Sequence, residues 1–200
     1  MCNRTSGGAG VFDWILLFNA SYVAWLAMEI WIGLRDRRRS SGTSGDRGSR
    51  IILIAMFFIT LTGAWYATAA FRWARIAPFH FQLFLVGLAL VWAGIALRLW
   101  AVLVLGRFFR TIVVVQDEHR LVTKGPYRLL RHPSYTGTLL TMLGFGLGFG
   151  NWIALALLTA GPFLAYSYRI AVEEDALRSR FGAEYEAFAR DRRRLIPFLL

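Results

Sequence analysis

The chain has 200 residues, of which 56% are hydrophobic and only 18% charged, with a mean hydropathy of +0.47. Those values exclude an ordinary soluble domain and point to a protein solvated by lipid. The net charge of +11 does not make the chain a nucleic-acid binder, because its arginines lie between long apolar runs and form no continuous basic face.

The single cysteine, Cys2, rules out an internal disulfide and a cysteine cluster for zinc or iron–sulfur. The histidines, His80, His119 and His132, are too scattered for a local metal motif, so no metal is expected. Positive charge is sparse ahead of the first apolar run and no small-residue cleavage site ends it. That run is therefore expected to stay in the mature protein rather than act as a signal peptide.

In chain order, apolar runs over residues 11–34, 51–71 and 79–105 are each long enough to cross about 30 Å of hydrocarbon as a helix. Two further stretches, 135–150 and 152–168, meet at Gly150-Asn151 with no charge at the junction, which predicts a tight helical hairpin. Beyond Tyr168 the pattern stays helical but heavily charged through Arg194, then closes on the apolar Ile196-Pro197-Phe198-Leu199-Leu200. This tail is expected to be an amphipathic helix lying against the membrane surface. The expected fold is all-α and polytopic: about five transmembrane helices, the last two as a hairpin, plus that C-terminal helix.

Cytoplasmic loops hold an excess of Lys and Arg. Arg35, Arg37, Arg38, Arg39, Arg47 and Arg50 follow the first span, whereas only Arg72 and Arg75 follow the second. Arg107, Arg110, Arg120, Lys124, Arg128 and Arg131 follow the third, the hairpin tip has none, and the tail is basic again. Five spans with the N-terminus outside and the C-terminus cytoplasmic satisfy this alternation. The expected organisation is a tail over 1–10, three spans over 11–105 with a flexible cytoplasmic loop at 35–50, and a catalytic, cofactor-binding region over 106–200. The Ser- and Gly-rich stretch 40–49 is a linker by composition.

Three charges fall at membrane depth. Asp13 starts its span and reads as an interfacial or capping residue. Glu29 and Arg98 both fall in the cytoplasmic third of antiparallel spans, where an interhelical pair would leave neither charge alone in lipid. The alternative use of Arg98 is to hold an anionic group of a substrate.

The densest polar signal is Gln116-Asp117-Glu118-His119-Arg120-Leu121-Val122-Thr123-Lys124-Gly125-Pro126-Tyr127, followed by Arg131-His132-Pro133-Ser134-Tyr135-Thr136-Gly137. Gly125-Pro126 is turn punctuation, and Pro133 suits the first turn of the hairpin helix. Free N–H groups at that helix start, with Arg131 and His132 beside them, could receive a carboxylate. A basic segment meeting lipid headgroups is the plainer use of the same residues. After the fifth span, Arg169 and Glu173 stand four apart on one helical face, a spacing that also serves a simple ion pair. Gly144, Gly146, Gly148 and Gly150 read as packing positions of the hairpin.

Taken in order, these motifs carry a resemblance: Val115-Gln116, His119-Arg120-Leu121-Val122, Gly125-Pro126-Tyr127, Arg131 to Gly137, Arg169 with Glu173-Glu174, Phe181-Gly182-Ala183-Glu184-Tyr185 and Ile196-Pro197-Phe198. The set is similar to that of the isoprenylcysteine carboxyl methyltransferase family and covers about half the chain. The link between Gln116 and His119 is shorter than in that family, and fewer glutamates run together at Glu173. The resemblance implies that Gln116, His119, Arg120, Leu121, Val122, Tyr127, His132, Pro133, Ser134, Tyr135 and Glu173 hold S-adenosylmethionine, with S-adenosylhomocysteine as product. It implies that Arg169 orients the substrate carboxylate; Arg98, read from its charge at membrane depth and not from the resemblance, is the candidate to assist it. The acceptor would be a lipophilic small molecule or a prenylated protein met among membrane lipids at the cytoplasmic face, with no nucleic acid and no further protein partner. Two alternatives use related sequences: a phospholipid or amine N-methyltransferase, whose base would be His119 or His132, and a sterol-reductase-like enzyme using NADPH.

Overall fold

In hydrocarbon a backbone must satisfy its polar groups internally, as a helix does within its own segment, and among the described residues the long apolar runs are helical. The computed structural model describes residues 7–37, 48–77, 80–106 and 121–195. Its helices are α1 (Gly7–Arg37), α2 (Ser49–Ala70), α3 (His80–Leu105), α4 (Pro133–Phe149), α5 (Trp152–Phe181) and α6 (Ala183–Arg190). Among the described residues the only β-type pairings are two isolated bridges, Arg75 with Asn151 and Leu130 with Arg193.

Among the described residues, four helices contain stretches long and apolar enough to cross a membrane: Trp14–Arg35, Ile51–Ala70, Phe81–Leu105 and Trp152–Phe181. The remaining hairpin arm, α4, has 17 residues, a length of about 25 Å at 1.5 Å per residue. Leu16, Phe58, Ile59 and Leu164 turn outward and are exposed, a surface suited to lipid. Inside, Trp25 and Ile32 of α1, Val91 and Ile95 of α3, Met142 and Phe145 of α4 and Leu158 of α5 form one core.

The glycines decide how closely the helices meet. Gly87 and Gly94 on α3, and Gly137 and Gly144 on α4, are each seven residues, about two turns, apart. A Cβ on Gly87 would come within 2.6 Å of Gly144 O, and one on Gly94 within 2.7 Å of Thr141 N and closer still to Gly137 O. The two helices therefore pack antiparallel, backbone on backbone. Of the hairpin glycines singled out in the sequence, only Gly146 packs within the hairpin, against Leu155. Gly144 serves the α3 contact and Gly148 lies against Phe18 of α1. Gly150 takes φ 60° to make the turn.

At that turn the expected hairpin is present, and the buried Asn151 closes two helix ends. Its Oδ1 accepts from Ile153 N at 2.9 Å and Ala154 N at 3.2 Å, capping α5. Its Nδ2 donates to Phe71 O at 3.1 Å, beyond the end of α2. Asp13 falls within α1, which begins at Gly7, and does not start the helix; its side chain lies outside what the structure describes. The tail is also not continuous helix to Arg194. Gly182, at φ 50°, separates α5 from α6, and the chain leaves helix after Arg190 because the backbone of Arg193 pairs with Leu129 and Arg131.

Substituting Gly94 with Ala should cost about 1–3 kcal/mol of stability through overpacking, read as a lower unfolding midpoint in detergent. Gly33→Ala is the control, since its Cβ would meet nothing within 4 Å and its midpoint should stay near that of the wild type. Equal midpoints for Gly94→Ala and wild type would contradict the close helix contact.

Candidate active site

The α3–α4 contact presses the first turn of α4 onto Arg98: a Cβ on Gly137 would lie 2.7 Å from Arg98 N. Arg98 Nη2 donates to Glu29 Oε2 on α1 at 2.7 Å. Its Nη1 donates to Ser134 Oγ at 3.0 Å and Ser134 O at 3.3 Å on α4. The pair expected from depth alone is thus formed, and it extends to a third helix. Buried charges persist when paired and hydrogen-bonded in this way.

The residue after Ser134, Tyr135, links the two ionisable residues of α5 that the sequence placed on one face. Its hydroxyl accepts from Arg169 Nε at 3.0 Å and donates to Glu173 Oε2 at 2.6 Å. Arg169 is buried, whereas the Glu173 side chain is 32% exposed. The Tyr135 ring stacks on His132 at 5.4 Å with 5° between planes, and also meets Tyr166 at 4.7 Å with 32° between planes. His132 in turn faces both glutamates, with Nδ1 3.8 Å from Glu173 Oε2 and Nε2 3.3 Å from Glu174 Oε1.

Glu174, which the sequence motif contained without giving it a role, is fully buried and joins Arg131, His132, Arg178 and Arg194. Its adjacency to Glu173, its place four residues before Arg178 and the basic run Arg192-Arg193-Arg194 were the available signals. The chain after α6 runs back along the residues before α4. Arg131 N donates to Arg193 O at 2.8 Å, His132 N to Arg194 O at 3.1 Å and Arg193 N to Leu129 O at 3.1 Å. Thr136 Oγ1 adds a bond to Leu195 O at 2.6 Å.

Leu121 and Val122 are half-buried in the extended stretch leading to a 3₁₀ turn, Gly125–Arg128. Gly125, at φ 58°, seats this turn against Val104 of α3, where a Cβ would meet the Val104 side chain at 2.9 Å. Tyr127 is buried in the turn, and that burial, reinforced by the Glu173 carboxylate, pushes its phenol well above the ordinary range. It stays a neutral hydroxyl at any physiological pH.

Pro133 opens α4 as expected. Pro133 has no N–H, and those of Tyr135 and Thr136 both go to His132 O at 3.0 and 3.1 Å. The helix start therefore offers fewer open donors than its sequence suggested. Arg98, His132, Ser134, Tyr135, Arg169 and Glu173 come together in one network. Gln116, His119 and Arg120 lie outside the described residues.

Residues 83–184, half of the chain, match a family model described as phospholipid methyltransferase. The "Probable protein-S-isoprenylcysteine O-methyltransferase" of Oryza sativa subsp. indica is 33% identical over 153 residues, 76% of this chain and 78% of that protein. The "Protein-S-isoprenylcysteine O-methyltransferase" of Schizosaccharomyces pombe is 30% identical over 92% of this chain and 71% of that protein. Among solved structures, the eukaryotic intramembrane Ras methyltransferase ICMT (isoprenylcysteine carboxyl methyltransferase) is similar with a TM-score of 0.56 and 27% identity over 74% of this chain. This chain spans about half, 52%, of that structure's chain.

A helical membrane bundle with a buried polar network at one end, matched by these relatives, defines a membrane methyltransferase. The chain belongs to the isoprenylcysteine carboxyl methyltransferase family, a family of O-methyltransferases.

Removing one partner of a buried pair leaves the other charge uncompensated, at a cost of about 3–5 kcal/mol. Arg98→Leu should accordingly lower the unfolding midpoint sharply in detergent. The double variant Arg98→Leu with Glu29→Leu should recover most of the loss. Additive destabilisation in the double variant would show that the two side chains do not depend on each other.

Proposed function

We propose that the chain transfers the methyl group of S-adenosylmethionine to the carboxylate of a lipophilic, isoprenylcysteine-like acid. The observation that carries this reading is the Tyr135 hydroxyl, held by the buried Arg169 on one side and the partly exposed Glu173 on the other. It joins a cation suited to an acceptor carboxylate to an anion suited to the donor.

The residues suit the proposed cofactor. Glu173 keeps carboxylate capacity for hydroxyl or ammonium groups, and the parallel His132 and Tyr135 rings offer a flat wall. Gln116, His119, Arg120, Leu121, Val122, Tyr127, Pro133 and Ser134 complete the proposed binding set. When bound, the cofactor supplies an electrophilic methyl on a sulfonium. The acceptor carboxylate is already ionised at neutral pH, so one of its oxygens attacks directly, the new C–O bond replaces the C–S bond, and no proton moves. Arg169 orients that carboxylate, with Arg98 beside it setting the start of α4. Positioning and exclusion of water supply most of the rate.

The arginine distribution supports five spans, counting α4, with the N-terminus outside and the C-terminus and site at the cytoplasmic face. On this reading residues 106–200 form the catalytic region, and α6 lies amphipathically on the membrane surface. The acceptor, a small acid or a prenylated protein, partitions into the bilayer, while the donor arrives from water.

A second reading, methylation of a phospholipid amine, is favoured by the description of the matched family model. An amine must lose a proton, and His132 is poorly disposed to take it because both ring nitrogens face glutamate oxygens. Incubation with a methyl-labelled donor and either farnesylcysteine free acid or phosphatidylethanolamine separates the two. An ester releases its label in alkali and a methylamine does not. Alkali-labile label on the acid is expected, and alkali-stable label on the phospholipid would sink the carboxylate reading. In the same assay Arg169→Lys, which loses the planar fork, should fall at least roughly tenfold in kcat/KM. Tyr135→Phe should also lose activity while keeping its ring contacts, and normal turnover by both variants would remove Arg169 and Tyr135 from the site.

A further inference from the structure

The two adjacent glutamates of α5 are unlike. Glu173 gives one oxygen to the Tyr135 hydroxyl and keeps its side chain 32% exposed. Glu174 is 0% exposed, and both of its oxygens are doubly engaged. Oε1 has Arg131 Nη1 at 3.0 Å and His132 Nε2 at 3.3 Å; Oε2 has Arg194 Nη2 at 2.9 Å and Arg178 Nη2 at 3.2 Å. An ionised carboxylate offers about four lone-pair sites, so the protein itself saturates Glu174 and leaves it nothing for a ligand.

Its partners come from α5, from the residues just before α4 and from the strap that follows α6. The strap is fixed to the pre-α4 residues by the backbone bonds of Arg131 and His132 to Arg193 and Arg194. One carboxylate therefore holds the His132 ring from one side and the strap beneath it. Without that charge, Arg131 and Arg194 would lose the carboxylate that holds them together, while Arg178 would keep Asp175 and Glu186.

We infer that Glu174 is a positioning residue of the cofactor end of the site: it fixes the His132 ring parallel to Tyr135 and fastens the strap, while Glu173 alone of the pair meets the ligand. The inference rests on the methyltransferase reading above and divides the roles of the two glutamates within it.

Calorimetric titration with S-adenosylhomocysteine of wild type, Glu174→Gln, His132→Ala and the double variant tests it, with limited trypsin digestion alongside. Glu174→Gln and His132→Ala should each weaken binding roughly tenfold. The double variant should bind within about twofold of His132→Ala, because the effect of Glu174 passes through that ring. Trypsin should cut among residues 190–194 sooner in Glu174→Gln than in wild type. Losses that add in the double variant, or a Glu174→Gln protein that binds like wild type, would overturn the inference. If Glu174→Gln does not fold, Arg194→Gln replaces it, since that side chain is half exposed. It should open the strap to trypsin and weaken binding, and wild-type behaviour in both respects would count against the inference. If wild type itself fails to bind the ligand, the methyltransferase reading is what fails. The digestion then still decides the strap, and unchanged resistance of Glu174→Gln would refute the fastening role.

Discussion

A charge buried in a helix bundle cannot remain without a partner, and that constraint organises one end of this molecule. Glu29, Arg98, Arg169 and Glu174 come from three different helices, and each is bound to groups on another segment. The bundle reaches this arrangement because the glycine faces of α3 and α4 let their backbones touch. That contact brings the start of α4 under Arg98. Moving those two helices apart would separate Arg98 from Ser134 and strand the ion pair.

The same packing sets the order of side chains along the network. Arg98 holds Ser134, the next residue, Tyr135, joins Arg169 to Glu173, and His132 stands between Glu173 and Glu174. His132, Ser134 and Tyr135, three of the four residues around the start of α4, are thus each tied to a different partner, which a flexible loop would not maintain. At the opposite end Asn151 secures the hairpin turn and the end of α2, so the two arms that carry the network are held from both ends. On the proposed reading, this rigidity is how a reaction that needs no proton transfer gains its rate.

Much of this was legible in the sequence. The apolar runs located the helices because hydrocarbon length is a strong constraint, and the uncharged Gly150-Asn151 junction located the hairpin turn. The Glu29–Arg98 pair followed from depth arithmetic on antiparallel spans. The ordered motifs from Val115-Gln116 onward pointed to the family. Other features depended on which segments become neighbours. Gly144 serves α3 and not its own hairpin, and Arg169 and Glu173 are linked by a tyrosine from another helix. The clamp on Glu174 uses Arg194, 20 residues away, and His132, 42 residues away. Periodicity gives the face of a helix but not what lies against it. The break at Gly182 is read as easily as a tolerated helix glycine as a stop, and so the end of the tail helix was set too late.

The central claim is that this network serves a methyl donor. The most direct measurement is calorimetric titration of the detergent-purified wild type and Glu173→Ala with S-adenosylhomocysteine, with NADPH titrated in parallel. The account predicts saturable binding of the homocysteine compound by wild type, its loss in Glu173→Ala, and no binding of NADPH. A folded wild-type protein that binds NADPH and not S-adenosylhomocysteine would contradict it.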